Sequence, residues 1–422
     1  MKFDTPIIVE YVITKLNNSG YEAYLVGGSI RDAIMGNSIN DYDITTNASL
    51  DEIKLVFSSD KIKEYSNKTT LCIIKNHEHV EITPFKGNSL EEDLANRDFT
   101  MNAIAYDLKD IIDPFKGRVD ILNKIVRTPI DPYTTINNDP LRMLRAIRFS
   151  AKYGFTIEES LNNAMNELGL LFVTLKKDRI KVELDKILVL DNPSKYIKEY
   201  KSIFFSIFPA LRSCDSFDQQ TKYHNLDVLS HILKVLDNVD NNLVSRLAAI
   251  LHDIKKPECF TLDEKGGHFY GHWTKSREYA YKLLKDFNYS NDIIKRVCKL
   301  IEYHDYQIEN DRKSILSFIY LFKTEDIDLL FDLKKADIIG QHPNYRYQIE
   351  DLTDIYIKVK SIIDNKEYVD ADTLDINNNE LINIGVMPIA IKDTVNKICK
   401  AIIDNKIRNN KADIIKYINN LN

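Results

Sequence analysis

The sequence predicts an α+β chain, with a mixed α/β head at the N-terminus followed by an all-helical remainder. Two observations carry this. Over residues 1 to about 125, short β-rich runs at 24–26, 42–45, 70–74 and 80–83 alternate with helical segments. From about 136 onward strand signals nearly vanish. Apolar residues there recur at three-and-four spacing, as over 142–153, 157–166 and 179–190, which predicts helix. A third observation is length: 422 residues make two to four compact units at roughly 100–200 residues each. The divisions expected are 1–125, 126–219, 220–345 and 346–422.

The composition, 44% apolar and 28% charged, suits a globular chain. No apolar run approaches the ~20 residues that span a bilayer, and the N-terminus lacks a signal-peptide pattern. A cytoplasmic location without membrane contact is therefore expected. Cys72, Cys214, Cys259, Cys298 and Cys399 show no paired spacing, so reduced thiols are expected. A net charge of −6 argues against a surface that coats nucleic acid everywhere, but not against local basic stripes. Two stripes stand out: Arg142, Arg145 and Arg148, and residues 391–422, with seven Lys/Arg against three Asp. Each is either a solvated helix face or a phosphate-binding groove.

The head opens with an apolar strand, Tyr24-Leu25-Val26, that runs into Gly27-Gly28 and then into Arg31-Asp32. Glycines lacking a Cβ let backbone approach a phosphate closely. Asp41 and Asp43, one residue apart, are expected on one face of a strand. Paired hard carboxylates suit Mg²⁺, and the chemistry they suit is two-metal in-line attack on an α-phosphate. An Asp-Tyr-Asp also serves an ordinary turn. With Gly27, Gly28, Arg31 and Asp32 upstream, the sequence resembles the class II tRNA nucleotidyltransferases and the related bacterial poly(A) polymerases. The resemblance implies that the glycines line a triphosphate site and that Asp41 and Asp43 are catalytic and hold Mg²⁺.

Residues 97–103, Arg-Asp-Phe-Thr-Met-Asn-Ala, resemble that family's Arg-Asp-Phe-Thr-x-Asn-Ala motif, with Asn96 in place of a preceding Arg. Arg97, Asp98 and Asn102 are thereby implied to hold the nucleotide sugar. Glu81 is a candidate third carboxylate. Residues 113–120 resemble a hinge in which Lys116 stands where Gly is usual.

The helical neck begins at Asp139-Pro140, a good cap and first-turn pair. Asp139 and Arg142, three apart, share a helix face. In the resembling enzymes such a pair reads the incoming base, the carboxylate accepting from an exocyclic amine and the guanidinium donating to ring nitrogen or carbonyl oxygen. Arg145 and Arg148 extend this nucleotide-binding face. Arg179, Glu183 and Lys186 are expected to brace the helices. The stretch between Glu81 and Asp93 is shorter than in most members that add CCA.

In the third segment His231, His252-Asp253 and Asp337 resemble the ligand set of the HD phosphohydrolases, and His272 and His304 match extra histidines found in some of them. Imidazole and carboxylate donors suit Mn, Ni, Co or Fe. The whole implies a tRNA nucleotidyltransferase that uses CTP and ATP to add CCA, with phosphatase or 2′,3′-cyclic phosphodiesterase activity in the HD domain and a basic helical tail on tRNA. No obligate protein partner is evident. The alternatives are a CC-adding enzyme, a poly(A) polymerase, or an HD phosphohydrolase with a nucleotide- or RNA-binding head.

Overall fold

The computed structural model describes residues 5–39, 41–64 and 69–420. Its contacts divide it into two units, one within 1–190 and 196–207, the other within 191–195 and 208–422.

The first unit begins with α1 (Ile7–Asn18), β1 (Ala23–Val26), α2 (Gly28–Ile34), β2 (Asp43–Thr46), α3 (Leu50–Val56), β3 (Lys61–Glu64), β4 (Leu71–Lys75) and β5 (Glu78–Pro84). It continues with α4 (Leu90–Ala95), β6 (Ala105–Tyr106), β7 (Ile111–Ile112), α5 (Gly117–Asn123) and β8 (Ile125–Val126). Seven of these strands form one sheet in the order β3-β4-β5-β2-β1-β6-β7. Only β2 and β5 pair in parallel within it, with Asp43 opposite Glu81. Val80 and Ile82 are buried and Glu81 between them is half-buried, the alternation expected of a strand with one face on the core.

The strands at 23–26, 43–46, 71–75 and 78–84 lie within a few residues of the expected ones. The structure adds β3, β6 and β7, which are too short or too charged to signal themselves. It also corrects the placement of Asp41. Strand β2 starts at Asp43, so the two aspartates do not share a regular strand face, and Asp41 lies in the segment leading into it. At 113–120, Lys116 adopts the left-handed conformation (φ 58°) that the glycine usual there takes without strain.

The neck consists of α6 (Pro132–Asn138), α7 (Leu141–Tyr153), β9 (Thr156–Ile157), α8 (Glu159–Leu168) and α9 (Lys177–Leu188), with β8 and β9 paired in parallel. α7 is amphipathic. Leu141, Met143, Leu144, Ala146, Ile147 and Phe149 are buried, and Arg142, Arg145 and Arg148 recur at three-residue steps on the other face. Gly154 ends it in the left-handed conformation.

There follow α10 (Pro193–Glu199), α11 (Lys201–Ile207), α12 (Leu211–Cys214), α13 (Val228–Asn238) and α14 (Leu243–Leu251), then a hairpin of β10 (Thr261–Asp263) and β11 (Gly266–His268). Next are α15 (His272–Asp286), α16 (Asn291–Tyr303), α17 (Arg312–Phe322), α18 (Ile327–Gly340) and α19 (Gln348–Asp364). The tail holds α20 (Asn378–Asn383), α21 (Ile391–Ile403) and α22 (Lys411–Asn419). Helix α14 is buried from Val244 to Leu251, so α13, α15, α16 and α18 are packed around an apolar rod whose end presents His252 and Asp253. The hairpin and β9 are the exceptions to the expected loss of strand beyond 136. All five cysteines are free thiols.

Candidate functional site

The first unit holds a cavity of about 1130 Å³ lined by Gly27, Gly28, Arg31, Asp41, Asp43, Arg97, Asp98, Asn102, Asp139, Arg142, Arg145 and Arg148, whereas Glu81, Lys116, Arg179, Glu183 and Lys186 lie outside its lining. β1 delivers the chain to Gly27, whose backbone is left-handed (φ 79°) and caps α2. A Cβ there would lie 3.1 Å from Arg97 Nη1 and 3.7 Å from Asp43 Oδ2, so glycine is what allows these side chains to close over the turn. Asp43 is accessible from the cavity, yet the walls enclose it. Burial first, then Glu81 and Asp41, push its carboxyl up to about 6 against the pull of Arg97. Crowded acids that resist ionising together fit a divalent cation.

Arg97 pairs with the buried Asp93 at 3.1 Å. Asp93 also accepts from the Lys86 amide (2.9 Å) and the Thr45 hydroxyl (3.2 Å). Asn96 donates to the Lys86 carbonyl (2.9 Å), and the Asn88 amide donates to Glu92 (2.7 Å). The short stretch after Glu81 is therefore a turn pinned at several points.

Asp98 accepts from Arg145 at 2.8 and 2.6 Å, from Asn102 at 2.9 Å and from the Phe99 amide at 2.9 Å. Burial pushes its carboxyl up, but Arg145 and these donors outweigh burial and hold it below the usual carboxylate range. Glu183, buried on α9, takes Arg148 at 2.6 Å and Arg145 at 3.5 Å. Asp139 accepts the Leu141 amide (3.2 Å) at the start of α7 and pairs with Arg179 at 2.7 Å. Arg142 donates to the carbonyls of Asn96 (2.6 Å) and Thr135 (3.3 Å). Arg179 and Glu183 thus brace the neck, whereas Lys186 is exposed. Sequence reasoning gave Asp93 no role. Its only signal was an acid in a short helix facing the core.

The second unit gathers the histidines. His231 Nε2 lies 3.2 Å from Asp253 Oδ2 and 3.0 Å from Asp337 Oδ1, and His252 Nε2 lies 3.3 and 3.5 Å from the same atoms. On the other side of Asp253, Oδ1 is 3.0 Å from His272 Nε2 and 3.5 Å from His304 Nε2. The donors form two groups that share Asp253.

Ring orientation tests the fit to a metal. Nδ1 of His252, His272 and His304 each hydrogen-bonds the carbonyl three residues earlier, Ala249, Phe269 and Ile301, at 2.7–2.8 Å. With Nδ1 donating, each Nε2 turns a lone pair inward, the arrangement of metal-binding imidazoles. The inward nitrogens come within 3.3–3.4 Å of one another in pairs. His231 is mid-helix, and its ring fits because residue 340 is glycine, where a Cβ would come within 2.8 Å.

Neither oxygen of Asp253 has an aligned hydrogen-bond donor, although Lys256 Nζ lies 2.6 Å from Oδ2. Burial disfavours a charged His252, but Asp253 and Asp337 outweigh it and hold its proton up to about 10. The cluster calls for positive charge at its centre, which a divalent ion supplies. Lys256 and Lys334 escaped the sequence reading. Lys334, buried on α18, donates to the carbonyls of His304 and Tyr306 at 2.7 Å each.

The chain is similar to known proteins over nearly its whole length. Residues 23–127 match the poly A polymerase head domain and residues 216–340 the HD domain. A CCA-adding enzyme of Staphylococcus aureus (strain bovine RF122 / ET3-1) is 28% identical over 97% of this chain and 96% of its own length. One from Pediococcus pentosaceus is 26% identical over the same shares. Among solved structures, the Bacillus stearothermophilus CCA-adding enzyme in complex with CTP superposes with a TM-score of 0.69 at 22% identity, covering 99% of this chain and 98% of that one. The Thermotoga maritima CCA-adding enzyme complexed with tRNA gives 0.62 at 19% identity, covering 98% and 95%.

Fold and site together define a nucleotidyltransferase head and neck joined in sequence to an HD-type domain. Over nearly its whole length the chain is similar to CCA-adding enzymes, and it carries a poly A polymerase head domain and an HD domain. No helix among the described residues is long and apolar enough to cross a membrane.

Proposed function

We propose that this protein builds the 3′-terminal CCA of tRNA from CTP and ATP in the cytoplasm. The observation that carries the reading is that one cavity is lined both by the Gly27–Gly28 turn with Asp41 and Asp43 and by Asp139 and Arg142 of the neck. The 3′-oxygen of tRNA bonds to the α-phosphorus as the bond to the β-phosphate oxygen breaks. Pyrophosphate leaves and the hydroxyl proton passes to solvent. Mg²⁺ held by Asp41 and Asp43 would lower the pKa of the attacking hydroxyl and offset charge on the triphosphate.

The chain's own groups bind and orient. The glycine turn and Arg31 take the phosphates, and Arg97 lies beside that turn. Asp98, hydrogen-bonded to Asn102, holds Arg145, and Glu183 holds Arg148 beside it. Asp139 accepts from the exocyclic amine that C and A share, and Arg142 donates to the base edge. In this reading residues 1–125 carry the chemistry, 126–219 the choice of base, and 346–422 contact tRNA backbone through the basic helices α21 and α22.

The pinned turn at 85–89 favours a second reading, in which addition stops after two cytidines. Incubating the protein with tRNA that ends at the discriminator base, with CTP and ATP singly and together, and sequencing the products separates the two. Growth by CCA supports the first reading, CC alone the second, and a long A tail rejects both.

The HD domain, within 220–345, is proposed to hydrolyse phosphate ends of RNA, either as a phosphatase or as a 2′,3′-cyclic phosphodiesterase, with Mn, Ni, Co or Fe held by His231, His252, Asp253 and Asp337. His272 and His304 offer a second position through Asp253. Release of phosphate from RNA ending in a 2′,3′-cyclic phosphate, supplied with each metal in turn, tests it.

A further inference from the structure

Helix α7 is fixed at both ends. At its start Asp139 and Arg142 are held by Arg179 and by the Asn96 carbonyl. At its last residue, eleven positions beyond Arg142 and roughly 16 Å along the axis, the Tyr153 hydroxyl donates to Asp32 Oδ1 of the head at 3.1 Å. The same carboxylate takes Arg31 in a fork, from Nε at 3.1 Å and from Nη2 at 2.9 Å. Arg31 Nη1 donates to Asn102 at 2.7 Å.

The guanidinium also lies against an aromatic platform that only α7 supplies. Its carbon is 5.0 Å from the Phe149 ring centre and 5.1 Å from that of Tyr153, and the two rings are within 9° of parallel. Arg31 is buried, and three of its five N–H groups are thereby committed within the protein. Its Nη2 comes within 3.4 Å of where a Cβ on Gly28 would stand. The guanidinium therefore sits under the glycine turn with its plane fixed by a carboxylate, an amide and two rings.

We infer that Tyr153 is a positioning residue for the nucleotide triphosphate: through Asp32 and its ring face it orients Arg31 under the Gly27–Gly28 turn. This rests on the proposed role of that turn in binding triphosphate. The helix that reads the base at one end then sets the phosphate contact at the other. Because this latch touches phosphates and not the base, its loss affects CTP and ATP alike.

The test is Tyr153→Phe in the full chain, which keeps the ring and removes only the hydroxyl. KM for CTP and for ATP should both rise about three- to tenfold, the net size of one ordinary hydrogen bond, because the lost bond acts on the triphosphate only through Asp32 and Arg31. The fall in kcat should be smaller, and the ratio of CTP to ATP use unchanged. Inhibition by inorganic tripolyphosphate should weaken by the same factor, while the melting temperature holds. Adding Tyr153→Phe to Asp32→Ala should cost nothing further, since both remove one path.

An unchanged KM, a changed CTP-to-ATP ratio, full additivity of the pair, or a loss of activity that merely follows a lower melting temperature overturns the inference. Calorimetric binding of CTP reads the same residue without turnover. A wild-type protein that binds CTP but adds nothing to tRNA therefore refutes the proposed function while still deciding on Tyr153.

Discussion

Asp43 and Glu81 stand opposite each other across the parallel strands β2 and β5, which places Glu81 next to the carboxylate that lines the cavity. The carboxyl of Asp43 is pushed up to about 6, by burial first and then by Glu81. The ordinary value in an unfolded chain is about 3.9.

The sign follows from proton binding. Between about pH 4 and 6 the folded chain holds a proton that the unfolded chain has released, so in EDTA this group costs stability as pH rises through that window. The penalty is absent below about 4 and complete above about 6. Asp43→Asn should therefore raise stability in EDTA at pH 7.5. Because the side chain opens onto the cavity, solvent screening limits the gain to about 1 kcal/mol. The same variant should abolish nucleotide addition. Urea unfolding at pH 7.5 and at pH 4, with and without EDTA, checks both; a stability gain at pH 4 as large as at 7.5 would refute the account.

Arg142→Ala should lower kcat/KM for CTP and ATP by about 10- to 100-fold and relax rejection of UTP, because a fixed guanidinium carries about 1–3 kcal/mol of base discrimination. Arg179→Ala should leave global stability within about 0.5 kcal/mol, since its ion pair with Asp139 is largely exposed. It should still weaken discrimination, because Asp139 loses the partner that orients it. Competition assays with mixed triphosphates measure both.

Asp98→Asn breaks a buried carboxylate's pairing with Arg145 and should cost about 2–4 kcal/mol at pH 7. Asp98 has a depressed pKa in the folded chain, so its contribution is complete above the unfolded value and is lost as pH falls through the folded one. The gap between the parent and the variant in urea unfolding should therefore shrink below about pH 4.

Asp253→Ala removes the carboxylate shared by both donor groups. Metal content measured by elemental mass spectrometry should fall to background, and hydrolysis of cyclic phosphate ends should disappear with it, whereas nucleotide addition should stay within about twofold of the parent, since the head chemistry uses other residues. His272→Ala should remove only the ion that depends on the second group. Equal metal loss in both variants would show a single ion held by all the donors.

Much of the candidate site was legible in the sequence. Gly27, Gly28 and Arg31 lie within one short run and Arg97–Asn102 within another, so local spacing carries the geometry inside each run. Arg142, Arg145 and Arg148 fall on one face by helical period alone. The strands β3, β6 and β7 were not legible, because a four-residue run with three charges, or two apolar residues, carry too little pattern to stand out from loops. Nor was the start of β2 at Asp43, which the pairing with β5 sets and a local alternation does not.

By itself the sequence determined which residue types were available: a glycine turn with acids after it, an arginine face on one helix, and histidines and aspartates spaced through a helical half. Only the tertiary structure decided their partners. Arg145 turned to Asp98 and Glu183, Asp139 to Arg179, Asp253 to two sets of imidazoles, and Asp32 to Tyr153 across 121 positions of chain. The physical reason is that a hydrogen bond or ion pair is short-ranged in space but indifferent to separation along the chain. Periodicity fixes the face a side chain occupies, and packing chooses what that face meets.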